Sequence, residues 1–372
     1  MGKRTEFLYL SEADVIKAGA LDYGACIDVE EEVFRLLSTG DYIMGGDNHN
    51  SHGIMMKFPK ESPFENMPKD APDRRYMAMP AYVGGRFHVA GEKWYGSNIL
   101  NPERGLPRSV LMIMLNDVDT CEPIALMSGN VISSVRTGCV PGVATRYLAK
   151  GDAAVCSCIG AGPISKSCFE GIIHEAGKLE ELVVCDLVRE KADAFADEMS
   201  ARYGIRARGT TSVEEAVRAG DIISVAASPI KPIQLRNDWL KKGSLLMFSG
   251  RGSVDREYFT SAKIFWDNPK MHEEYYNEHL MLPEGERFVN GIAVQIYKLM
   301  YEGIIPPITE GTGVGDVVCG AAPGRACDDD RICFIAGGMP IWDVAWGYEL
   351  YQNALKKGLG QKLTLWDDPY MA

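Results

Sequence analysis

Residues 153–165 read AAVCSCIGAGPIS, and this stretch decides the fold. Positions 153–159 form a nearly continuous apolar run, which is typical of a strand that helices bury on both faces. Gly160-Ala161-Gly162 follows at once and opens a helix. Glycines at this point permit a tight turn and bring a diphosphate close to the positive end of the helix. The stretch therefore predicts a dinucleotide-binding unit of strand, turn and helix.

An acidic residue stands where the ribose of the dinucleotide is expected. Asp186 follows the next predicted strand, 186 − 160 = 26 positions after Gly160. A carboxylate at that place accepts hydrogen bonds from both ribose hydroxyls and repels a 2′-phosphate, which favours NAD. Arg189 lies shortly afterwards and offers a partner for a phosphate, so NADP stays open as the second cofactor.

The pattern after residue 153 predicts a doubly wound parallel sheet, because short apolar strands alternate with helical or turn segments. The further predicted strands are 182–185, 205–207, 221–226, 244–248 and 263–266. Ligands of such a sheet bind beyond the carboxyl ends of its strands, which here carry Ala226-Ala227-Ser228, Ser249-Gly250-Arg251 and Trp266-Asp267. Arg251 points into the ligand crevice in one interpretation and is an ordinary surface arginine in the other.

The first third of the chain has a different pattern. Two helical segments precede apolar runs that Pro, Gly, Asn and Asp separate, and this spacing predicts antiparallel strands. The runs are 53–58, 76–83, 87–94, 110–115 and 123–127. The chain as a whole is therefore expected to be an α/β protein with a second, sheet-containing domain.

Composition excludes several classes of partner. The chain has 372 residues with 39 basic and 51 acidic side chains, a net charge of −12, which argues against nucleic acid or an anionic membrane as the main partner. No apolar run reaches the ~18 residues of a membrane-spanning helix, and the first residues lack a signal-peptide pattern, so we expect a cytoplasmic protein. The 10 cysteines form no C-x-x-C pair and are expected to be reduced.

Histidines give weaker signals. His49 and His52 lie in a polar stretch between two apolar runs, and this stretch is either a simple turn or a substrate contact. The other histidines do not have the spacing of zinc ligands, so no metal site is predicted. His272 and His279 lie among Glu and Tyr on what we expect to be a solvated helix without a functional role.

Four stretches together make the chain resemble the ornithine cyclodeaminase and mu-crystallin superfamily of NAD(P)-dependent amino-acid and imine oxidoreductases. They are Gly91-Glu92-Lys93-Trp94, Ser134-Val135-Arg136-Thr137, Ile159-Gly160-Ala161-Gly162 and residues 338–362. The resemblance implies a Rossmann domain at 139–335. It also implies an α+β substrate-binding and dimerisation domain at 1–138 plus 336–372, and a homodimer.

The resemblance also implies roles for single residues. A lysine at the Lys93 position binds the substrate carboxylate or transfers a proton, and an arginine at the Arg136 position contacts the cofactor and the acid group. Lys93 and Arg251 are the catalytic candidates. The predicted substrate contacts are Lys93, Arg136, Arg251, His49 and Gly337. The predicted cofactor contacts are Ser109, Arg136, Thr137, Gly160, Ala161, Gly162, Pro163, Ile164, Asp186, Ala227, Ser249 and Gly250.

One departure from the family pattern bears on the substrate. Ornithine cyclodeaminases have an aspartate, credited with handling the substrate amine, where this chain has Arg251. The reversed charge speaks against ornithine cyclisation and suits a substrate with a second carboxylate. We therefore predict an NAD-dependent oxidoreductase acting on the C–N bond of a small amino or imino acid, with a dicarboxylic or opine-like substrate. A cyclodeaminase-type ammonia lyase and a non-catalytic NAD(P)H-dependent binding protein of mu-crystallin type stay open.

Overall fold

A computed structural model describes residues 3–227, 232–289 and 291–371. Ser228, which follows Ala227 at a predicted strand end, lies outside the described residues. The chain divides into two compact units, one made of residues 3–22, 40–136 and 339–371 and the other of 23–39 and 137–338.

The strands lie in all parts of the described chain. They are, in chain order, β1 (Thr5–Leu10), β2 (Tyr42–Met44), β3 (Ile54–Lys57), β4 (Arg75–Val83), β5 (Val89–Ser97), β6 (Ser109–Asp117), β7 (Pro123–Ser128), β8 (Val155–Ile159), β9 (Glu181–Cys185), β10 (Arg206–Thr210), β11 (Ile222–Val225), β12 (Ile233–Leu235), β13 (Leu245–Phe248), β14 (Gly252–Val254), β15 (Lys263–Trp266), β16 (Thr312–Gly313), β17 (Ile332–Ile335) and β18 (Gln361–Trp366). The helices are α1 (Glu12–Ala18), α2 (Tyr23–Thr39), α3 (Asn130–Leu148), α4 (Pro163–Glu175), α5 (Arg189–Tyr203), α6 (Val213–Ala219), α7 (Arg256–Phe259), α8 (Pro269–Met281), α9 (Val294–Tyr301), α10 (Val314–Val318) and α11 (Pro340–Lys357).

The first unit is a mixed sheet covered by one long helix. The strand order is β18-β1-β7-β6-β5-β4-β2, with β3 paired to β4, and the β1–β7 pair is parallel while the other pairs are antiparallel. Helix α11 packs across β4, β5 and β6 and buries Trp342 and Trp346. Alternate strand residues face this helix, as period-two patterning requires. Lys93 is among them, whereas Trp94 points to the opposite, exposed face.

The second unit is a parallel sheet of the predicted type. Its strand order is β10-β9-β8-β11-β13-β17-β15-β16, and every pairing is parallel. Strands β9 and β10 lie on one side of β8, and the later strands, beginning with β11, lie on the other side. The topological switch point of the sheet is therefore between β8 and β11. Together with the mixed sheet of the first unit, this confirms the predicted α/β class with a Rossmann-type sheet.

Helix α2 belongs to the second unit of the structure. The domain boundaries expected from the sequence had placed it, with the rest of residues 1–138, in the substrate-binding domain. Gly315 of α10 lies so close to α2 that a Cβ would be 2.3 Å from the Phe34 carbonyl oxygen, and Ser38 donates to Asp316 at 2.7 Å. The contact depends on a glycine that the sequence pattern did not single out. Within the described chain, no helix is long and apolar enough to cross a membrane.

Candidate functional site

Lys93 lies on the buried face of the mixed sheet. It occupies the middle of β5 and is 3% exposed, which is unusual for a lysine. Its Nζ donates to Asp343 Oδ2 at 2.6 Å and lies 3.4 Å from Ser133 Oγ. A buried ammonium needs such a partner, because taking an unpaired charge out of water is strongly unfavourable.

Arg136 meets Lys93 at the same carboxylate. It lies on α3, is 6% exposed and places Nη2 3.0 Å from Asp343 Oδ2. Asp343 itself is fully buried on α11. The structure therefore brings the two predicted carboxylate-binding residues together, and it adds an internal carboxylate that the sequence interpretation missed.

The environment shifts the pKa values of this cluster. Burial, together with the nearby Arg136, lowers the pKa of Lys93 to about 8, although Asp343 opposes the change. Burial also disfavours the charge of Asp343, but the two neighbouring cations outweigh it and lower the pKa of this carboxyl. Lys93 can therefore gain and lose a proton near neutral pH while Asp343 stays ionised.

Two polar atoms of the cluster are unsatisfied. Arg136 Nε and Asp343 Oδ1 are buried and have no hydrogen-bond partner among the described residues. A buried polar group without a partner costs about 1–3 kcal/mol, so such atoms mark places where a ligand or water is expected to bind.

The predicted diphosphate turn lies at the carboxyl end of β8. Gly160 has φ +108°, and a Cβ there would lie 3.0 Å from Ala227 Cβ, so both its conformation and its surroundings favour glycine. Gly162 is the N-cap of α4, with Pro163 in the first turn and no side-chain cap. The first amides of α4 thus lack a side-chain partner, as an anion-binding helix start requires.

Asp186 lies beside this turn. Its Oδ2 accepts from the Ala161 amide at 2.9 Å, and its Oδ1 accepts from Val188 N at 3.0 Å. Arg189 instead pairs with Asp193 on the surface of α5. The carboxylate is thus fixed at the end of β9, next to the glycine turn.

The ends of β11 and β13 also approach each other closely. A Cβ on Gly250 would lie 2.4 Å from the Ala227 carbonyl oxygen, which in turn accepts from Arg251 N at 3.2 Å. Ser249 N donates to Val225 at 3.0 Å, and the Arg251 side chain is half-buried. Together with Gly160, these backbones form one closely packed edge of the parallel sheet.

The remaining predicted residues lie in simpler surroundings. Ser109 begins β6, and its carbonyl accepts from the Asn130 side chain at 2.8 Å. Thr137 on α3 and Ile164 on α4 are half-buried. His49 is exposed in the turn after β2, with φ +59°, and no hydrogen bond or ion pair within the described residues joins it to Lys93.

The expectation for His272 was wrong. This residue is 1% exposed on α8, where Nε2 contacts Asp267 Oδ1 at 2.8 Å and Nδ1 contacts Tyr297 Oη at 2.6 Å. The polar neighbours of His272 along the chain suggested a solvated helix. They did not show that the His272 ring packs against Trp266 of β15, with ring centroids 4.6 Å apart.

Asp343 could have been recognised as a candidate from the sequence. It is the one charged residue in the stretch Pro340–Gly347, PIWDVAWG, and an acidic group inside such an apolar helical run is rarely buried without a partner. The partner could not be inferred from position, because Lys93 and Asp343 are 250 residues apart along the chain.

Comparison with known proteins gives matches along the whole chain. The N-((2S)-2-amino-2-carboxyethyl)-L-glutamate dehydrogenase of Staphylococcus aureus is 28% identical over 364 residues, which cover 97% of this chain and 99% of that enzyme. A Delta(1)-pyrroline-2-carboxylate reductase of Bacillus cereus is 28% identical over 252 residues, 68% of this chain and 73% of the enzyme. A solved archaeal alanine dehydrogenase dimer with bound NAD is similar with a TM-score of 0.79 at 26% identity, covering 97% of this chain and 100% of that one.

These distant homologues include amino-acid dehydrogenases and an imine reductase, and the solved relative binds NAD. The family profile matches the chain over residues 22–358, across both units. On that match, and as its sequence motifs predicted, the chain belongs to the ornithine cyclodeaminase/mu-crystallin family.

Proposed function

We propose that this chain is an NAD-dependent oxidoreductase that reduces the C=N bond of a small imino acid, or oxidises the corresponding amino acid in reverse. The observation that carries the proposal is the buried cluster of Lys93, Arg136 and Asp343. NADP remains the second cofactor candidate.

The cluster suits the carboxylate of an amino or imino acid. Two cations against one carboxylate leave one positive charge in excess in a buried place, and a second carboxylate would balance it. The unsatisfied Arg136 Nε adds a free donor, and guanidinium groups bind carboxylates through two parallel hydrogen bonds. We assign the substrate's α-carboxylate to these two cations.

Lys93 is our candidate for the proton transfer. Reduction of an imine adds a hydride to carbon and a proton to nitrogen, and a bound nicotinamide cofactor supplies the hydride. With a pKa of about 8, Lys93 Nζ is mostly protonated at neutral pH yet gives its proton up readily. In the oxidation direction, the neutral amine of Lys93 accepts the proton from the substrate nitrogen.

The carboxyl edge of the parallel sheet fits a dinucleotide. The uncapped start of α4 offers amides to a diphosphate, and Asp186 offers a carboxylate to the adenosine ribose. Gly160 and Gly250 pack too closely against Ala227 to carry side chains, so the ends of β8, β11 and β13 are held together at this edge.

Arg251 supports a substrate with a second acid group. Its guanidinium follows the end of β13, where the family's cyclodeaminases have an aspartate. The Staphylococcus aureus relative is named for a carboxyethyl group on the nitrogen of glutamate, a compound with several carboxylates. We therefore propose a dicarboxylic or opine-like substrate for this chain.

We also propose that the chain forms a homodimer. The outward face of its mixed sheet carries exposed aromatic and aliphatic side chains, and the archaeal alanine dehydrogenase relative is a dimer. An exposed apolar face of this kind is a common sign of a protein–protein interface.

The experiment follows NADH absorbance with the purified chain and a panel of 2-oxo acids mixed with amines, together with Delta(1)-pyrroline-2-carboxylate. We expect NADH oxidation, with higher kcat/KM for substrates that carry two or more carboxylates. Lys93→Ala should abolish turnover while NADH affinity persists. Arg251→Gln should lower kcat/KM about tenfold for the dicarboxylic substrates alone, because one charge-assisted hydrogen bond is lost.

Arg256→Gln is the matched control, since Arg256 is an exposed arginine of α7 a few positions further along the chain. Ammonia release from ornithine without net NADH oxidation would overturn the proposal in favour of cyclisation. Tight NADH binding without turnover of any imine would favour a binding protein instead.

A further inference from the structure

Three buried polar side chains form a chain of hydrogen bonds at the carboxyl end of β15. Asp267 directly follows this strand, its Oδ1 contacts His272 Nε2, and His272 Nδ1 contacts Tyr297 Oη. Their exposed fractions are 1%, 1% and 3%. Groups of this kind are costly to remove from water, so their mutual hydrogen bonds have to offset a considerable desolvation penalty.

One arrangement of protons satisfies all three groups. Burial, helped by the negative Asp267 and Glu278, raises the pKa of Tyr297 well above its usual value, so the phenol keeps its proton. The phenol then donates to His272 Nδ1, and the imidazole donates from Nε2 to Asp267. Asp267 is thereby held in one orientation.

The second oxygen of Asp267 holds a turn at the end of the neighbouring strand. Asp267 N donates to Ile335 of β17 at 3.0 Å, and Asp267 Oδ2 accepts from the amides of Gly337 at 2.8 Å and Gly338 at 3.1 Å. Gly338 has φ +76°, and a Cβ on Gly337 would lie 2.4 Å from Met271 Cε. The turn therefore has little freedom on the side that faces Asp267.

This anchoring fixes the direction of two peptide carbonyls. The described peptides are trans, and in a trans peptide the C=O points opposite to the N–H of the same unit. Because the amides of Gly337 and Gly338 point at Asp267, the carbonyls of Ala336 and Gly337 point away from it. They lie at the carboxyl edge of the sheet, where this architecture binds its ligands.

We propose that Asp267, supported by His272 and Tyr297, is a positioning residue that directs the carbonyls of Ala336 and Gly337 toward an N–H donor of a bound ligand. The inference rests on the proposed function, which brings two such donors: the carboxamide of a nicotinamide and the protonated nitrogen of an imino acid. A carbonyl dipole favours either group, and most strongly the charged one.

The experiment compares wild type with Asp267→Asn and Tyr297→Phe. Hydrogen exchange measured by mass spectrometry on the peptide that contains Gly337 and Gly338 reports the turn without any need for activity. We expect faster exchange in both variants and a loss of kcat/KM of about 100-fold in Asp267→Asn, because small misplacements of positioning groups have effects of that size. Tyr297→Phe should lose less of its kcat/KM, since the Asp267 carboxylate is still present. Tyr276→Phe is the control, because Tyr276 lies on α8, the helix that carries His272, and packs on Tyr297 through its ring.

Two ligand readouts distinguish the donors. If the carboxamide is the partner, Asp267→Asn weakens the binding of NADH but not the binding of its 3-acetylpyridine analogue, which lacks the amide N–H. If the imino nitrogen is the partner, NADH affinity is unchanged and the loss appears in kcat and in KM for the imino acid. Unchanged exchange, or kcat/KM within twofold of wild type in both variants, overturns the inference. A wild-type protein that turns over no imino acid contradicts the proposed function, and NADH affinity with hydrogen exchange then decides this inference separately.

Discussion

Lys93 is held between two opposing influences. Burial and Arg136 disfavour its charge, whereas Asp343 at 2.6 Å favours it, and the resulting pKa is about 8. If Lys93 donates the proton as we propose, imine reduction needs its protonated form, and kcat/KM in that direction should fall as the pH rises above about 8. In the oxidation direction the neutral amine is needed, and the rate should rise over the same pH interval.

Asp343→Asn tests this balance. Removing the carboxylate takes away the group that raises the pKa of Lys93, so the alkaline fall in kcat/KM should move to lower pH. Two buried cations without their partner should also destabilise the fold, by about 3–5 kcal/mol, which a thermal melt would record. Glu349→Gln is the control, because Glu349 lies on the same helix but pairs with Arg86 at the surface. If the alkaline fall in kcat/KM occurs at the same pH in Asp343→Asn as in wild type, that fall does not come from Lys93.

Single residues were predictable where the chain carries a local motif. Lys93 and Arg136 lie in short stretches that resemble a known family, whereas Asp343 lies in an otherwise apolar helix far away in sequence. The expectation for His272 failed because its partners lie on other elements, Asp267 directly after β15 and Tyr297 on α9. Polar contacts between elements depend on packing, and the sequence pattern records only which faces are apolar.

At the scale of elements, the turn between β8 and α4 depends on the strand beside it. Asp186 at the end of β9 accepts a hydrogen bond from the Ala161 amide, so the carboxylate that we propose to select the cofactor also stabilises the predicted diphosphate turn. Asp186→Ala should therefore weaken the binding of NADH and reduce the preference for NADH over NADPH. A change of about tenfold in the ratio of the two dissociation constants corresponds to about 1.4 kcal/mol.

Fluorescence titration of NADH and NADPH measures that ratio. Glu190→Gln removes the same charge from the exposed first turn of α5 and should leave the ratio unchanged. If the two variants behave alike, Asp186 does not determine cofactor choice, and Arg189 becomes the residue to examine.

Elements with strong periodicity were predicted well. The strand at 263–266 coincides with β15, and β8 and β13 agree to within two residues. The strands that were not predicted are β1, β2, β12, β14, β16, β17 and β18. β17 spans four residues after a charged segment, and β18 is an edge strand with exposed side chains, so neither has a clear apolar alternation. Their place in a sheet is decided by neighbours that are distant in the chain.

At the scale of the whole molecule, the outward face of the mixed sheet is unusually apolar. Tyr76 and Trp94 stack with ring centroids 5.8 Å apart, beside a cleft of about 580 Å³ that Val110 and Met112 also line. These four side chains are between 39% and 50% exposed. A stable dimer needs an interface of about 800 Å² on each partner, and a sheet face of several strands is large enough to provide it.

We expect the chain to sediment as a dimer of two 40.9 kDa subunits at micromolar concentration. The double variant Val110→Glu and Met112→Glu should sediment as a monomer, because apposed copies would bury four carboxylates on an apolar face. Both positions point outward from β6, so the charges should be tolerated within one chain. Leu355→Glu is the control, since Leu355 is an exposed leucine on α11 rather than on the sheet. A wild-type monomer, or a double variant that remains dimeric, would show that this face is not the interface.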